Sequence, residues 1–251
     1  MVKKWNVVIP QLSGDTPRTV YIYLPASYEK NPDKRYPVMY MFDGHNVFFD
    51  KDATFGKSWG MNKYMVRTKK DLIIVGVECN HQGNRRLVEY SPFTYTNESH
   101  GKIKGQGRAY MNWLVKELKP QIDRSFRTLP DRKHTIIAGS SMGGLMALYA
   151  VSAYNHVFQR AACLSPSLWV HPDKVLEFIG RAKFRPGTTI YMDYGEQEMA
   201  NHGANTQALT AATQALMAKP VNLTMRIVPG GNHSEASWEK QVPIFMACLG
   251  L

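Results

Sequence analysis

Cysteine is scarce in this chain. Its three residues, Cys79, Cys163 and Cys248, are an odd number, lie far apart and sit in or beside apolar runs. That excludes a disulfide framework and reads as buried thiols in a reducing compartment. Long apolar runs are missing too: none approaches the roughly 18 residues that a membrane-crossing helix needs. The N-terminal segment MVKKWNVVIP carries two lysines, but its apolar run is short and broken by Asn6 and Pro10. A signal peptide is therefore not expected, and a cytoplasmic location is. Acidic residues are in the minority, 20 against 31 Lys and Arg, for a net charge of +11. Such an excess suits nucleic acid, an anionic membrane or an anionic small molecule. The doublets Lys3-Lys4, Lys69-Lys70 and Arg85-Arg86 are short and dispersed, however, with no basic helix or finger pattern. Neither nucleic acid nor membrane is expected as a partner.

What is present is a globular composition: 251 residues, 44% hydrophobic, 11% aromatic and 20% charged. Without repeats, low-complexity tracts or a dividing linker, residues 1–251 read as one domain. A chain of this length buries roughly three-quarters of its unfolded surface, so its core needs no disulfide or metal. Strands are expected at 5–9, 19–24, 37–42, 72–77, 135–138, 160–164, 189–193 and 222–228. The first two should form an antiparallel start, because only a short turn at Ser13-Gly14-Asp15 separates them. The later ones are nearly unbroken apolar runs, as in strands covered on both faces. Between them lie amphipathic patterns: Tyr110, Trp113, Leu114 and Leu118, stopped or kinked by Pro120; then Leu145, Leu148 and Tyr149; then Trp238, Val242, Phe245, Met246 and Leu249. This alternation predicts an α/β fold with a mostly parallel, doubly wound sheet and chemistry at the strands' carboxyl ends.

The sharpest motif is Ile136-Ile137-Ala138-Gly139-Ser140-Ser141-Met142-Gly143-Gly144. A strand runs through Gly-x-Ser-x-Gly straight into a helix, the pattern of a nucleophile elbow that exposes the Ser141 hydroxyl on a strained turn. Gly139 and Gly143 allow close strand–helix approach, and the Met142 amide points outward from a helix N-terminus, where developing negative charge is favoured. Ser140 is a neighbouring hydroxyl in the wrong position of the motif. A serine needs a base, and His233, in the glycine-rich loop between the last strand and the last helix, sits where this chain order presents one. His81, His100, His134, His156, His171 and His202 read as surface or core residues, and their scatter shows no metal spacing. The orienting acid should follow the strand at 189–193. Asp193, Glu196 and Glu198 are available there, and spacing alone does not choose between the two glutamates. The second oxyanion donor is expected after the strand ending at Asp43-Gly44, from the backbone of His45 and not its ring. Gly101-Lys102-Ile103-Lys104-Gly105-Gln106-Gly107 lacks the following Lys-Ser/Thr of a phosphate loop, and Asp43, Asp50 and Asp52 do not fit a calcium loop. No metal or organic cofactor is called for.

With these residues the sequence resembles the esterase-D-like branch of the α/β-hydrolases, particularly the enterochelin-esterase-like members. The likeness spans most of the chain. It includes Phe42-Asp43-Gly44-His45-Asn46-Val47-Phe48, Trp59, Arg86 with Glu89-Tyr90-Ser91-Pro92, Glu117-Leu118-Lys119-Pro120 and Phe126-Arg127-Thr128. It continues through Gly139 to Gly144, Ser165-Pro166-Ser167-Leu168-Trp169 and the segments around Glu198 and His233. The resemblance implies an α/β-hydrolase fold of about eight strands and serine hydrolysis of carboxylic esters. It implies Glu198, three residues after a glycine, as the triad acid, although a glutamate stands where many relatives have aspartate. It also implies the His45 amide as second oxyanion donor beside Met142. The substrate it implies is a small-molecule ester: a siderophore or aromatic acyl ester, S-formylglutathione or a short-chain ester. Trp59, Tyr90 and Trp169 are the expected substrate contacts. An acyltransferase on the same triad and a non-catalytic binding protein are the alternatives.

Overall fold

A computed structural model describes residues 1–97, 100–199 and 203–251. Ten strands are present among them: β1 (Val2–Ile9), β2 (Gly14–Tyr23), β3 (Val38–Met41), β4 (Ile73–Val77), β5 (Tyr95–Asn97), β6 (Gly101–Ile103), β7 (Thr135–Ser140), β8 (Arg160–Leu164), β9 (Thr189–Gly195) and β10 (Asn222–Val228). Eight of them form one sheet in the order β1-β2-β4-β3-β7-β8-β9-β10, while β5 and β6 make a separate hairpin. β1 pairs antiparallel with β2, and β2 antiparallel with β4. Every other pairing in the large sheet is parallel. This is the eight-stranded, mostly parallel sheet expected of an α/β-hydrolase.

Alternation along the strands divides the core between two faces. Tyr40, Ile137 and Val75 join the cluster under the helices Gly107–Trp113, Met142–Ala153, Pro172–Arg181 and Gly203–Met217. Their neighbours Met39, Met41, Ile136, Ala138 and Ile74 face the other way, onto the helices Met61–Thr68 and Glu235–Cys248. The central strands β4 and β7 are buried along their whole length, which is why they read as unbroken apolar runs. A fully buried ion pair, Arg18 to both Glu89 oxygens at 3.0 and 2.9 Å, ties β2 to the helix Arg85–Glu89.

Four details differ from the sequence reading. The turn expected at 13–15 begins earlier, as the helical turn Pro10–Ser13, and β2 starts at Gly14. Pro120 does not stop its helix. The helix widens into a π-turn at Leu114–Leu118, a local change of pitch that accommodates the N–H missing at Pro120, and continues as Lys119–Ser125. Tyr95–Asn97 and Gly101–Ile103 pair as strands and the helix Gly107–Trp113 opens at the last glycine of the glycine-rich segment, so a strand and a helix do flank it, but the Lys-Ser/Thr of a phosphate loop is absent. Cys79 and Cys163 are buried, whereas Cys248 is only half-buried.

Candidate active site

Parallel strands bring the carboxyl ends of β3, β7, β8, β9 and β10 to one edge, and the chemistry-bearing residues follow those ends. Register fixes their relation: Met41 lies opposite Ala138, Ser140 opposite Leu164, Leu164 opposite Asp193, and Gly195 opposite Val228. One residue beyond β7, Ser141 adopts φ 58°, ψ −124°, a conformation side chains rarely tolerate. The strain is held because Ser141 donates its N–H to Leu164 O at 3.0 Å and the helix Met142–Ala153 begins at the next residue. Gly139 is required there. A Cβ on it would stand 2.5 Å from Gly143 O.

His233 and Ser141 line one cavity of about 640 Å³, together with His45, Arg86 and Trp238. The Ser141 hydroxyl has Ser167 Oγ as its hydrogen-bond partner at 3.4 Å, rather than the imidazole. Catalytic bonds of this kind are often long before substrate binds. The other side of the imidazole is firmly held: His233 Nδ1 and Glu198 Oε2 are 2.6 Å apart, and the ring stands edge-on to Trp238 at 5.0 Å.

Of the three carboxylates left open by spacing, Glu198 is the one that reaches His233. It sits on the short helix Glu196–Met199 rather than in an open loop, and that helical turn swings it back over the end of β9. Its Oε1 accepts from Ser165 Oγ at 2.7 Å and from the Gly195 amide at 3.0 Å. Burial pushes its pKa up, but the bonds from His233 and Ser165 outweigh that and hold the carboxyl below its ordinary range. Glu196 is exposed and accepts from the Gly230 amide at 2.8 Å. Asp193 remains on β9, where Tyr191 donates to it at 2.7 Å and burial raises it to about 6. Ser165 also accepts from Trp238 Nε1 at 3.0 Å, so one hydroxyl joins the C-terminal helix to the acid. Nothing in the motif pattern singles out this serine.

The segment after β3 is built with equal care. Asp43 takes a left-handed conformation (φ 53°) and opens a 3₁₀ turn, Gly44–Asn46, whose first hydrogen bond runs from the Asn46 amide to Asp43 O. The His45 amide lies ahead of that bond and has no carbonyl within the turn, as the Met142 amide has none at the start of its helix. Arg86 grips both Asp43 oxygens at 2.8 Å. Burial pushes the Asp43 carboxyl up, but the Arg86 guanidinium outweighs that and holds it below the ordinary range. Gly44 packs so tightly that a Cβ would lie 2.4 Å from the Gly76 backbone of β4.

The expected substrate contacts need correction. Trp59 is 3% exposed and packs in the core against Trp238 and Phe245. Tyr90 is 0% exposed, packs edge-on against Phe42, and accepts the Asp43 amide on its hydroxyl at 3.1 Å. Both support the site from behind and offer no surface to a ligand. Trp169 is 42% exposed and lines a second cavity of about 590 Å³ with Gln197, Glu198, Asn205 and His233. A larger cavity, about 880 Å³, lies away from all of these between Tyr149, Phe178 and Phe184. His202 falls outside the described residues. The fold also gathers residues that sequence scatter had kept apart: one ligand atom each from His45, Cys79 and His81 lies within 4.8 Å of the others. The Cys79-x-His81 spacing was the available signal.

The profile of the family described as "Putative esterase" matches residues 13–247. Among curated proteins, the chain is 24% identical to the uncharacterized protein YbbA of Bacillus subtilis strain 168 over 184 residues, 72% of this chain and 69% of that protein. It is 26% identical over 170 residues to the ferri-bacillibactin esterase BesA of the same organism, covering 62% of this chain and 56% of BesA. Among solved structures, an IroE-like serine hydrolase from Shewanella oneidensis superposes with a TM-score of 0.76 at 20% identity, over 100% of this chain and 79% of that one.

Proposed function

The chain belongs to this esterase family and is an ester-hydrolysing enzyme, and on that premise we propose that Ser141, His233 and Glu198 are its catalytic triad. The observation that carries the proposal is the Glu198–His233 contact at 2.6 Å beside a serine held at φ 58° in the same cavity. His233 Nε2 takes the Ser141 proton as the hydroxyl attacks the ester carbonyl. The Met142 and His45 amides receive the oxyanion of the tetrahedral intermediate. His233 then protonates the departing alcohol, and a water activated by His233 hydrolyses the acyl-enzyme. Glu198 keeps the proton on Nδ1 and stabilises the imidazolium.

The substrate class we propose is an aromatic or siderophore-type ester. BesA is named as an esterase of ferri-bacillibactin, and the exposed Trp169 ring beside His233 provides an aryl-stacking face. The small-molecule substrate and a cytoplasmic site of action complete the reading, the latter resting on three thiols with no disulfide among the described residues.

The test is intact mass after exposure to a fluorophosphonate, which phosphonylates a serine activated by its base and oxyanion hole. One adduct on the wild type and none on Ser141→Ala is expected. A folded wild type that takes no adduct would overturn the triad. Ser141→Ala and His233→Ala should each lose several orders of magnitude in kcat, and the double variant little more.

A further inference from the structure

His45, Cys79 and His81 come from two stretches of backbone near the site: the 3₁₀ turn after β3, and the segment leaving β4, which carries both Cys79 and His81. Their ligand atoms lie within 4.8 Å of one another, close enough to converge on one ion through small rotations. Two observations give this cluster the character of a site. The first is the state of the imidazoles. His45 Nε2 is bonded to Thr54 Oγ1 at 3.0 Å, while its Nδ1 is buried with no hydrogen-bond partner among the described residues. His81 Nε2 is bonded to Glu78 at 3.1 Å. Each ring is thus oriented through its Nε2 and keeps Nδ1 as a candidate donor, the arrangement in which metal-ligating histidines are found, with a carboxylate or hydroxyl behind the ring. A buried imidazole nitrogen left without a partner costs free energy that a ligand would recover. The second observation is place. All three residues line the same cavity as Ser141 and His233. The Arg86 guanidinium, which lines that cavity, is already neutralised by Asp43.

We propose that His45, Cys79 and His81 form a binding site for a zinc-class divalent cation in the wall of the catalytic cavity, and that its occupation switches hydrolysis off. Two imidazoles and a thiolate are ligands such an ion prefers, and three protein ligands leave a fourth position, here open to the cavity and filled by water. Binding releases the Cys79 thiol proton to solvent as the sulfur–metal bond forms, with no change in oxidation state. The switch follows from His45. Its ring would be drawn onto the metal, and its own amide, the donor assigned to the oxyanion under the proposed function, would move with it.

The binding half is independent of the triad, whereas the inhibition half rests on it. Purified full-length protein is loaded with zinc chloride, passed through a desalting column and assayed for metal, beside Ser141→Ala and His81→Gln. His81 is half-exposed, so its replacement leaves the fold in place, and each variant's zinc-free turnover serves as its own reference. One zinc per chain is expected on the wild type and on Ser141→Ala, with affinity at least about tenfold weaker in His81→Gln. With cobalt chloride instead, the wild type should show thiolate-to-cobalt charge-transfer absorption that Cys79→Ser lacks. Zinc should lower wild-type kcat, a chelator should restore it, and His81→Gln should be insensitive. No zinc retained by the wild type, or equal affinity in His81→Gln, would overturn the site. Zinc bound with turnover unchanged would overturn the switch. Because metal content is read without turnover, and Ser141→Ala is tested alongside, failure of the triad and failure of the metal site give different results.

Discussion

Both Glu198 oxygens are engaged, but with different partners. Oε2 faces His233, and Oε1 is anchored by the Ser165 hydroxyl and the Gly195 amide. Glu198→Gln keeps the size and presents an amide that can donate to Nδ1, so the wrong imidazole tautomer becomes stable. A loss of about 10⁴ in kcat is expected, as for comparable changes of a triad acid to its amide. Glu196→Gln removes a charge whose hydrogen bond goes to the exposed Gly230 amide and not to His233, and kcat should stay within a few-fold. Steady-state hydrolysis of an aryl ester by the two variants measures both. Equal losses would mean that the acid role is shared. Sequence spacing could not make this distinction, because residues 193, 196 and 198 differ in direction only once the helical turn after β9 is known. His233 was easier to read, since a histidine in a glycine-rich loop between the last strand and helix has few other reasons to be there.

At the scale of elements, the elbow was legible because its causes are local. Gly139 and Gly143 lie four apart: a Cβ on Gly139 would meet the Gly143 backbone of the following helix, and one on Gly143 would meet Phe42 Cβ at 3.0 Å. Gly139→Ala would drive a Cβ to within 2.5 Å of the Gly143 carbonyl. We expect destabilisation of about 1–3 kcal/mol from this overpacking, read as a lower denaturation midpoint, with kcat falling as Ser141 shifts. An unchanged midpoint would mean that the strand and helix can move apart freely. Strand positions were also legible, from apolar runs of the right length. The π-turn before Pro120 was not, since hydrophobic spacing gives a helix's face and not its local pitch. Trp59 and Tyr90 lie in the core and not on the cavity surface for a related reason. An aromatic residue near a motif declares affinity for apolar surroundings, but whether those are a ligand or the core is decided by distant packing. Tyr90 meets Phe42 and the Asp43 amide across 47 residues of chain, which no local pattern announces.

For the whole molecule, the price of assembling polar groups under the sheet's edge shows in its response to pH. Asp193 is buried beside Tyr191 and near Glu198, and burial raises its pKa from 3.8 to about 6. A carboxyl raised in the folded state binds more protons there than in the unfolded chain. Its contribution is therefore favourable below about pH 4 and is lost as pH rises through about 6. Asp193→Asn removes this cost. Relative to the wild type, the variant should gain up to about 3 kcal/mol between pH 4 and pH 7, the equivalent of the shift at about 1.4 kcal/mol per unit. Denaturant titrations at the two pH values decide it, and a difference independent of pH would mean that Asp193 is ionised throughout.

The edge-on contact between His233 and Trp238 gives the enzyme an optical reporter of its own state. A protonated imidazole quenches the emission of an indole it touches, and these rings are 5.0 Å apart. The difference in tryptophan fluorescence between wild type and Trp238→Phe should therefore respond to what happens at the imidazole, without substrate. Replacing His233 or filling the cavity it shares with Ser141 should change that difference. A difference that responds to neither would show that the indole and imidazole are not held together in solution.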